Sequence, residues 1–193
     1  MKKRVWIPNV LTLIRVLLVF GISFLMLSSE QSVNQGMSIL LITGLTGMVY
    51  MTDFFDGRLA RKWNICTAFG EKFDVAADLF YIVFLSLILI VQRRMPIFVL
   101  IVIIAEFVFF LGSSRKKEKK TAGKTFVFDN CGRITAIYYY SIPFVYYLIG
   151  QVENSEIQKE LSAGAAILCI LLSVAAVANR LKSIVSGGTS TVV

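Results

Sequence analysis

Histidine is absent from this chain, and that absence removes three chemistries at once. Without imidazole there is no histidine general acid or base, no histidine-ligated zinc and no Ser-His-Asp activation of a nucleophile. Proton transfer therefore falls to carboxylates. Cysteine is scarce as well: Cys66, Cys131 and Cys169 have neither CxxC nor metal-ligand spacing, and an odd number of them builds no disulfide framework. They read as small apolar fillers. Charge is the third shortage. Only 17% of the 193 residues are charged while 56% are hydrophobic, which is too apolar for a soluble domain of this size and predicts one integral membrane domain over residues 1–193. Acidic side chains are the rarer sign, 12 against 20 basic, for a net charge of +8. The basic residues sit between hydrophobic stretches and not along one soluble face. That suits a surface of anionic lipid and argues against nucleic acid.

The apolar runs are long and regularly interrupted. Residues 1–7 carry Lys2, Lys3, Arg4 and Trp6, a basic and aromatic lead-in expected to lie at the interface. A cleaved secretory signal is disfavoured, because the following run is too long, carries Arg15 and lacks a small-residue cleavage site before Ser28. Pro8 is placed to open a helix that stays apolar to Leu27, with Asn9, Thr12 and Arg15 at successive i, i+3 positions on one stripe. Two readings of that stripe are open, headgroup anchoring and site lining. After a polar turn over Ser28 to Gln35, Met37 to Tyr50 forms a second apolar helix. There Gly44 and Gly47 are expected to permit close helix contact.

Val75 to Val91 predicts a third span, Gln92 to Met95 a tight turn, and Pro96 to Leu111 a fourth span containing Glu106. An acid at that depth should face the bundle and find a partner. Arg115, Lys116, Lys117, Lys119, Lys120 and Lys124 then crowd one loop, as a cytoplasmic anchor or as an attractor of phosphates. A tyrosine-rich fifth span over Ile134 to Ile149, a polar turn over Gln151 to Glu160, a sixth span over Leu161 to Ala178 and a flexible tail from about 184 to 193 complete the chain. The predicted fold class is an all-α integral membrane protein with six transmembrane helices. Fourteen Lys and Arg residues lie in the N-terminus, the Arg58 to Lys62 stretch, the Arg115 to Lys124 loop and the C-terminus, against three in the opposite loops, which predicts cytoplasmic termini. No internal repeat interrupts this plan.

Against this apolar frame, the acidic residues of one stretch stand out. Asp53, Asp56, Gly57, Ala60 and Arg61 are followed eight residues later by Gly70, Asp74 and Asp78. If the second helix continues through the block, Asp53, Asp56 and Ala60 fall close to one face, and Asp74 and Asp78 are i, i+4 on the next helix. Two helices joined by a short turn thus aim four carboxylates into one gap. Carboxylates that close need cations to stay ionised, and hard oxygen donors favour Mg²⁺ or Mn²⁺ over zinc. Four of them can hold two ions, and two ions can clamp a diphosphate. Gly57 and Ala60 remove bulk where a flat base and its phosphates would approach the backbone, and Arg61 can meet a phosphate bidentately.

The spacing Asp53-x-x-Asp56-Gly57-x-x-Ala60-Arg61, eight residues, Gly70-x-x-x-Asp74-x-x-x-Asp78 resembles the signature of the CDP-alcohol phosphatidyltransferases at every position. The resemblance implies six transmembrane helices, usually paired into a homodimer, with a site open to the cytosol. It implies transfer of a phosphatidyl group from CDP-diacylglycerol to an alcohol with release of CMP. On the same basis Asp53, Asp56, Asp74 and Asp78 are the expected ligands of two metal ions, and Asp78 is also the base for the acceptor hydroxyl. Gly57 and Ala60 would border the cytidine, and Arg61 would lie near the phosphates, with Gly70 part of the same substrate-binding set.

The stretch Ile7-Pro8-Asn9-Val10-Leu11-Thr12-Leu13-x-Arg15 is similar to the N-terminus of the bacterial phosphatidylglycerophosphate synthases, as is "DGRLARKW" at Asp56 to Trp63. Their acceptor is glycerol 3-phosphate, which makes it the leading acceptor here, with Asn9, Thr12, Arg115 and Arg133 as candidate contacts. The chain departs from that subfamily in three places. Asp74-Val75-Ala76-Ala77-Asp78-Leu79 replaces an Asp-Pro-x-Ala-Asp-Lys pattern, Ala105-Glu106 lacks the arginine of Ala-Arg-Glu, and Gly132-Arg133-Ile134-Thr135 is one cation short of Gly-Lys-x-Lys-Thr. Phosphatidylglycerol, serine and an inositol phosphate are the rival acceptors. A non-catalytic membrane protein binding nucleotide or metal, or a small transporter, is the rival class. Clustering of the aspartates at one membrane face, away from mid-depth, speaks against a transport path.

Overall fold

A computed structural model describes residues 6–29, 35–62, 68–118 and 130–186. Among these residues there are six helices and no strand: α1 (Trp6–Ser29), α2 (Gln35–Lys62), α3 (Ala68–Val91), α4 (Ile97–Glu118), α5 (Asn130–Ile149) and α6 (Ser155–Ser186). Four stretches are long and apolar enough to cross a membrane: Val10–Ser28, Gln35–Phe55, Lys72–Val91 and Ser155–Lys182. On α4 the apolar stretch Ile97–Ser113 is shorter. Large apolar side chains such as Phe24, Leu40, Val108 and Val174 are exposed on the outer helix faces. Such faces suit lipid, and with the long apolar stretches they make the chain an all-α membrane protein.

Several boundaries differ from the sequence reading, and each helix is longer overall than the span expected there. Trp6 and Ile7 already belong to α1, since Pro8 fits the first turn of a helix, where its missing N–H costs nothing. Arg115 to Lys117 continue α4 and do not form a loop, and α6 runs on through position 186, past the expected start of the tail. Polarity marks the membrane surface, and a helix need not end there. The turn before α6 is correspondingly short. Asn154 Oδ1 accepts hydrogen bonds from the backbone N–H of Glu156 at 2.9 Å and Ile157 at 3.2 Å, capping the helix. Residues 1–5, the Glu30 turn, Cys66, Lys119, Lys120, Lys124 and residues 187–193 lie outside the described residues.

The chain divides into two compact units, Met1–Val91 and Gln92–Val193. In the first, α1 packs on both α2 and α3. The buried positions form three seams, at alternating spacings of three and four on α1 (Thr12, Arg15, Val19, Ile22 and Met26) and α2 (Ile42, Thr46 and Val49), and of four on α3 (Ala77, Tyr81, Leu85 and Leu89). Phe20 of α1 meets Phe80 and Phe84 of α3, with ring centroids 5.8 and 5.4 Å away. Gly44 and Gly47 do not serve the close contact expected of them, for a Cβ at either would meet nothing within 4 Å. They lie off the buried seam of α2, on its exposed side.

In the second unit α6 packs on both α4 and α5, and polar side chains do much of the joining. The Tyr138 hydroxyl donates to the carbonyl of Ala165 at 2.6 Å and that of Tyr146 to Ser162 at 3.1 Å, both from α5 to α6. Arg180 of α6 donates to Ser113 Oγ of α4, and its guanidinium lies 4.4 Å from the Phe110 ring centroid. Glu106, expected to need a partner, accepts from the Tyr139 hydroxyl, which also contacts Ser173 Oγ. One phenol oxygen thereby joins α4, α5 and α6. Cys169 is buried and Cys131 half-buried, both as free thiols, in keeping with a filler role.

Candidate active site

The seams that hold the first unit together also build its site. Continued by one turn, the α2 seam of Ile42, Thr46 and Val49 reaches Asp53; the α3 seam, followed back from Tyr81, reaches Asp78 and then Asp74. Residues that pack helices against one another along most of their length therefore become carboxylates at one end. α2 does continue unbroken through the block, as the sequence reading required. Carboxylate oxygens of Asp53, Asp74 and Asp78 lie within 4.8 Å of one another.

A cation from α1 fills the space between them. Arg15 lies on the corresponding seam of α1, one step in from Thr12, and its Nη1 donates to Oδ1 of Asp74 at 2.9 Å and Oδ1 of Asp78 at 2.6 Å. Its Nη2 lies 2.9 Å from Oδ1 of Asp53. The Arg15 side chain is 0% exposed while the three carboxylates retain 38%, 35% and 33% exposure in chain order. The cation thus lies beneath a part-open acidic floor. A buried guanidinium is tolerated only when paired and hydrogen-bonded, and three carboxylates meet that condition. The same pairing answers the repulsion among the carboxylates. The single contact in which one nitrogen spans Asp74 and Asp78 is also direct evidence that the two face the same way, as their i, i+4 spacing demands.

The donor set is three carboxylates on two rigid helices, open on one side. Hard oxygen donors of this kind suit Mg²⁺, Mn²⁺ or Ca²⁺ and not a thiophilic metal. Three carboxylates against one guanidinium leave the cluster with more acidic than basic groups, and its donor atoms are of the type a divalent ion takes.

The remaining predicted site residues are distributed as follows. Asp56, Gly57, Ala60 and Arg61 follow Asp53 on the last turns of α2, and their surroundings lie outside the described residues, as does the side chain of Asn9 on α1. Thr12 is buried one turn before Arg15. Gly70 is half-buried in the first turn of α3, one turn before Asp74. Arg115 and Arg133 belong to the second unit; Arg133 is exposed near the start of α5, and the Arg115 side chain lies outside the described residues. The sequence leaves Arg15 outside the candidate site residues, with its stripe open to either reading. The signal that would have selected it is its register on the α1 seam together with a surplus of acid on two neighbouring helices.

A family model described as CDP-alcohol phosphatidyltransferase matches residues 5–178. The chain belongs to the CDP-alcohol phosphatidyltransferase family. Among curated relatives of this chain, a CDP-diacylglycerol–glycerol-3-phosphate 3-phosphatidyltransferase of Rickettsia typhi is 38% identical over 72 residues, covering 37% of this chain and 38% of the relative. A protein of the same name from Wigglesworthia glossinidia brevipalpis is 38% identical over 91 residues, 46% of each chain. A cardiolipin synthase (CMP-forming) of Streptomyces coelicolor is 33% identical over 100 residues, 51% of this chain and 45% of the relative. The matched stretch thus spans less than half the length of these relatives.

Proposed function

We propose that this family member transfers a phosphatidyl group from CDP-diacylglycerol to an alcohol, with glycerol 3-phosphate the acceptor, and releases CMP in phospholipid synthesis. The observation that carries the reading is the convergence of Asp53, Asp74 and Asp78 from two helices at the signature spacing of the family. Asp53, Asp56, Asp74 and Asp78 would hold Mg²⁺ or Mn²⁺, two ions in all. When bound, such ions supply positive charge that offsets the charge gathering on the diphosphate as it is cleaved.

The chain's own part is positioning and proton transfer. Asp78 accepts the proton of the acceptor hydroxyl as its oxygen bonds to the phosphorus of the phosphatidyl group; the phosphoanhydride bond breaks and CMP leaves with the electron pair. Gly57 and Ala60 leave room for the cytidine, Arg61 pairs with phosphate, and Gly70, Asn9 and Thr12 complete the substrate-binding set within the same unit. A part-exposed acidic floor at one end of the helices suits a donor whose acyl chains stay in the bilayer while its diphosphate stays at the surface. We read the whole chain as one catalytic domain with six crossings. It would work as a homodimer in the cell membrane, with site and termini cytoplasmic on the strength of the charge asymmetry.

A second acceptor has its own support. The S. coelicolor relative is named a cardiolipin synthase, and this chain lacks several of the cations that would pair with a phosphorylated small alcohol. The test is CMP release by the purified chain from CDP-diacylglycerol and Mn²⁺ with each acceptor in turn. Release with glycerol 3-phosphate is expected. Release with phosphatidylglycerol alone would move the acceptor and keep the chemistry, and release with no alcohol would overturn the reading.

A further inference from the structure

We propose that Arg15 is a built-in counter-cation of the aspartate site, seated there while no divalent ion is bound and displaced when one loads. The inference rests on reading the aspartates as metal ligands, and it assigns a positioning role to a residue outside that ligand set.

The geometry is one of shared occupancy. Nη1 of Arg15 stands 2.9 and 2.6 Å from Oδ1 of Asp74 and Asp78, in the gap that an ion joining those carboxylates through the same oxygens would need. Nη2 holds Oδ1 of Asp53 at 2.9 Å, so every described carboxylate of the cluster is engaged by the same side chain. Magnesium binds oxygen at about 2.0–2.1 Å and tolerates little departure from octahedral geometry. An ion on these same oxygens cannot share that space with a guanidinium nitrogen, and two cations so close repel strongly. The ion and Arg15 therefore exclude each other at these atoms.

Burial gives the exchange its direction. The guanidinium lies beneath the carboxylates, fully buried, while each carboxylate is about one-third exposed, so ions arrive from the open side. The backbone of Arg15 is fixed between Thr12 and Val19 on the buried seam of α1, leaving its long side chain as the part that can move. With Arg15 seated, the carboxylates stay gathered, because a tethered cation offsets their mutual repulsion. The cost is affinity, for each ion must first displace Arg15.

Mn²⁺ binding to the detergent-solubilised full chain, counted by electron paramagnetic resonance without substrate, tests this. Arg15→Met should bind Mn²⁺ about tenfold more tightly than the wild type, a gain of about 1.4 kcal/mol. Its metal-free form should melt at lower temperature and gain more from Mn²⁺. Arg15→Lys, which retains a cation, should bind close to the wild type. A purely architectural arginine predicts the opposite, looser binding once it is lost, so equal or weaker Mn²⁺ affinity in Arg15→Met overturns the exchange. No binding by any of the three proteins overturns the metal reading along with it. Should Arg15→Met fail to fold, the wild type decides: in protein labelled with ¹⁵N-arginine, the Nε–H resonance absent from Arg15→Lys should shift with the same midpoint as Mg²⁺ binding. A resonance unmoved at saturating Mg²⁺ overturns the proposal.

Discussion

Replacing Tyr139 with phenylalanine removes one oxygen from the second unit and tests whether polar contacts hold its helices together. That oxygen donates to Glu106 of α4 and contacts Ser173 of α6, while Ser173 also reaches the carbonyl of Cys169 at 2.7 Å. Phenylalanine keeps the ring and fills the same space, so no cavity term enters. The loss is two interhelical hydrogen bonds. In membranes such bonds average about 0.6 kcal/mol and reach about 1.7, so Tyr139→Phe should cost about 1–3 kcal/mol. Glu106→Leu should cost less, because removing a carboxyl from mid-span returns part of the roughly 2.5–3.5 kcal/mol that an acid costs at the centre of a membrane helix.

The decisive quantity is the coupling. In a Glu106→Leu background the phenol has only Ser173 left, so Tyr139→Phe should then cost about 0.6 kcal/mol. Reversible unfolding in mixed micelles of increasing dodecyl sulfate fraction, followed by circular dichroism, gives the four stabilities of the cycle. Costs that add to within about 0.3–0.5 kcal/mol, as for independent sites, would refute the view that Tyr139 ties Glu106 into the bundle.

Three further outcomes follow from the site and the capping. Asp78→Asn should lower CMP release by at least about 10²-fold, the usual scale for losing a positioned base, while the protein still elutes as the folded species; turnover within threefold of wild type would remove Asp78 as the base. Treatment with a chelator should abolish CMP release and Mn²⁺ or Mg²⁺ in excess should restore it, whereas activity that persists after exhaustive chelation would remove the metal from the reaction. Asn154→Ala should cost about 1 kcal/mol in the same unfolding assay by stripping two capping bonds from α6, and Asn154→Asp should restore most of it.

What could be read before the structure, and what could not, divides by the range of the interaction. Apolar runs and local spacing operate within one helix, so the helix number, the continuation of α2 through Asp53 and the shared face of Asp74 and Asp78 were all legible. Helix ends were less so, because a charged residue such as Lys116 marks where lipid stops and says nothing about where backbone hydrogen bonding stops. Partners were least legible, since they depend on how seams from different helices mesh. Gly44 and Gly47 have the spacing of a contact motif, yet the buried seam of α2 passes through Ile42, Thr46 and Val49 on another face. Arg15 is the converse case: alone in α1 it is an anomalous charge, and only the α2 and α3 seams, each ending in carboxylate, make it necessary. The two observations share one cause. In the first unit the seams pass from apolar to ionised at one end, so the packing that stabilises the helices also fixes the register of the charges. Shifting any of these helices by one residue would break the hydrophobic seam and the site together.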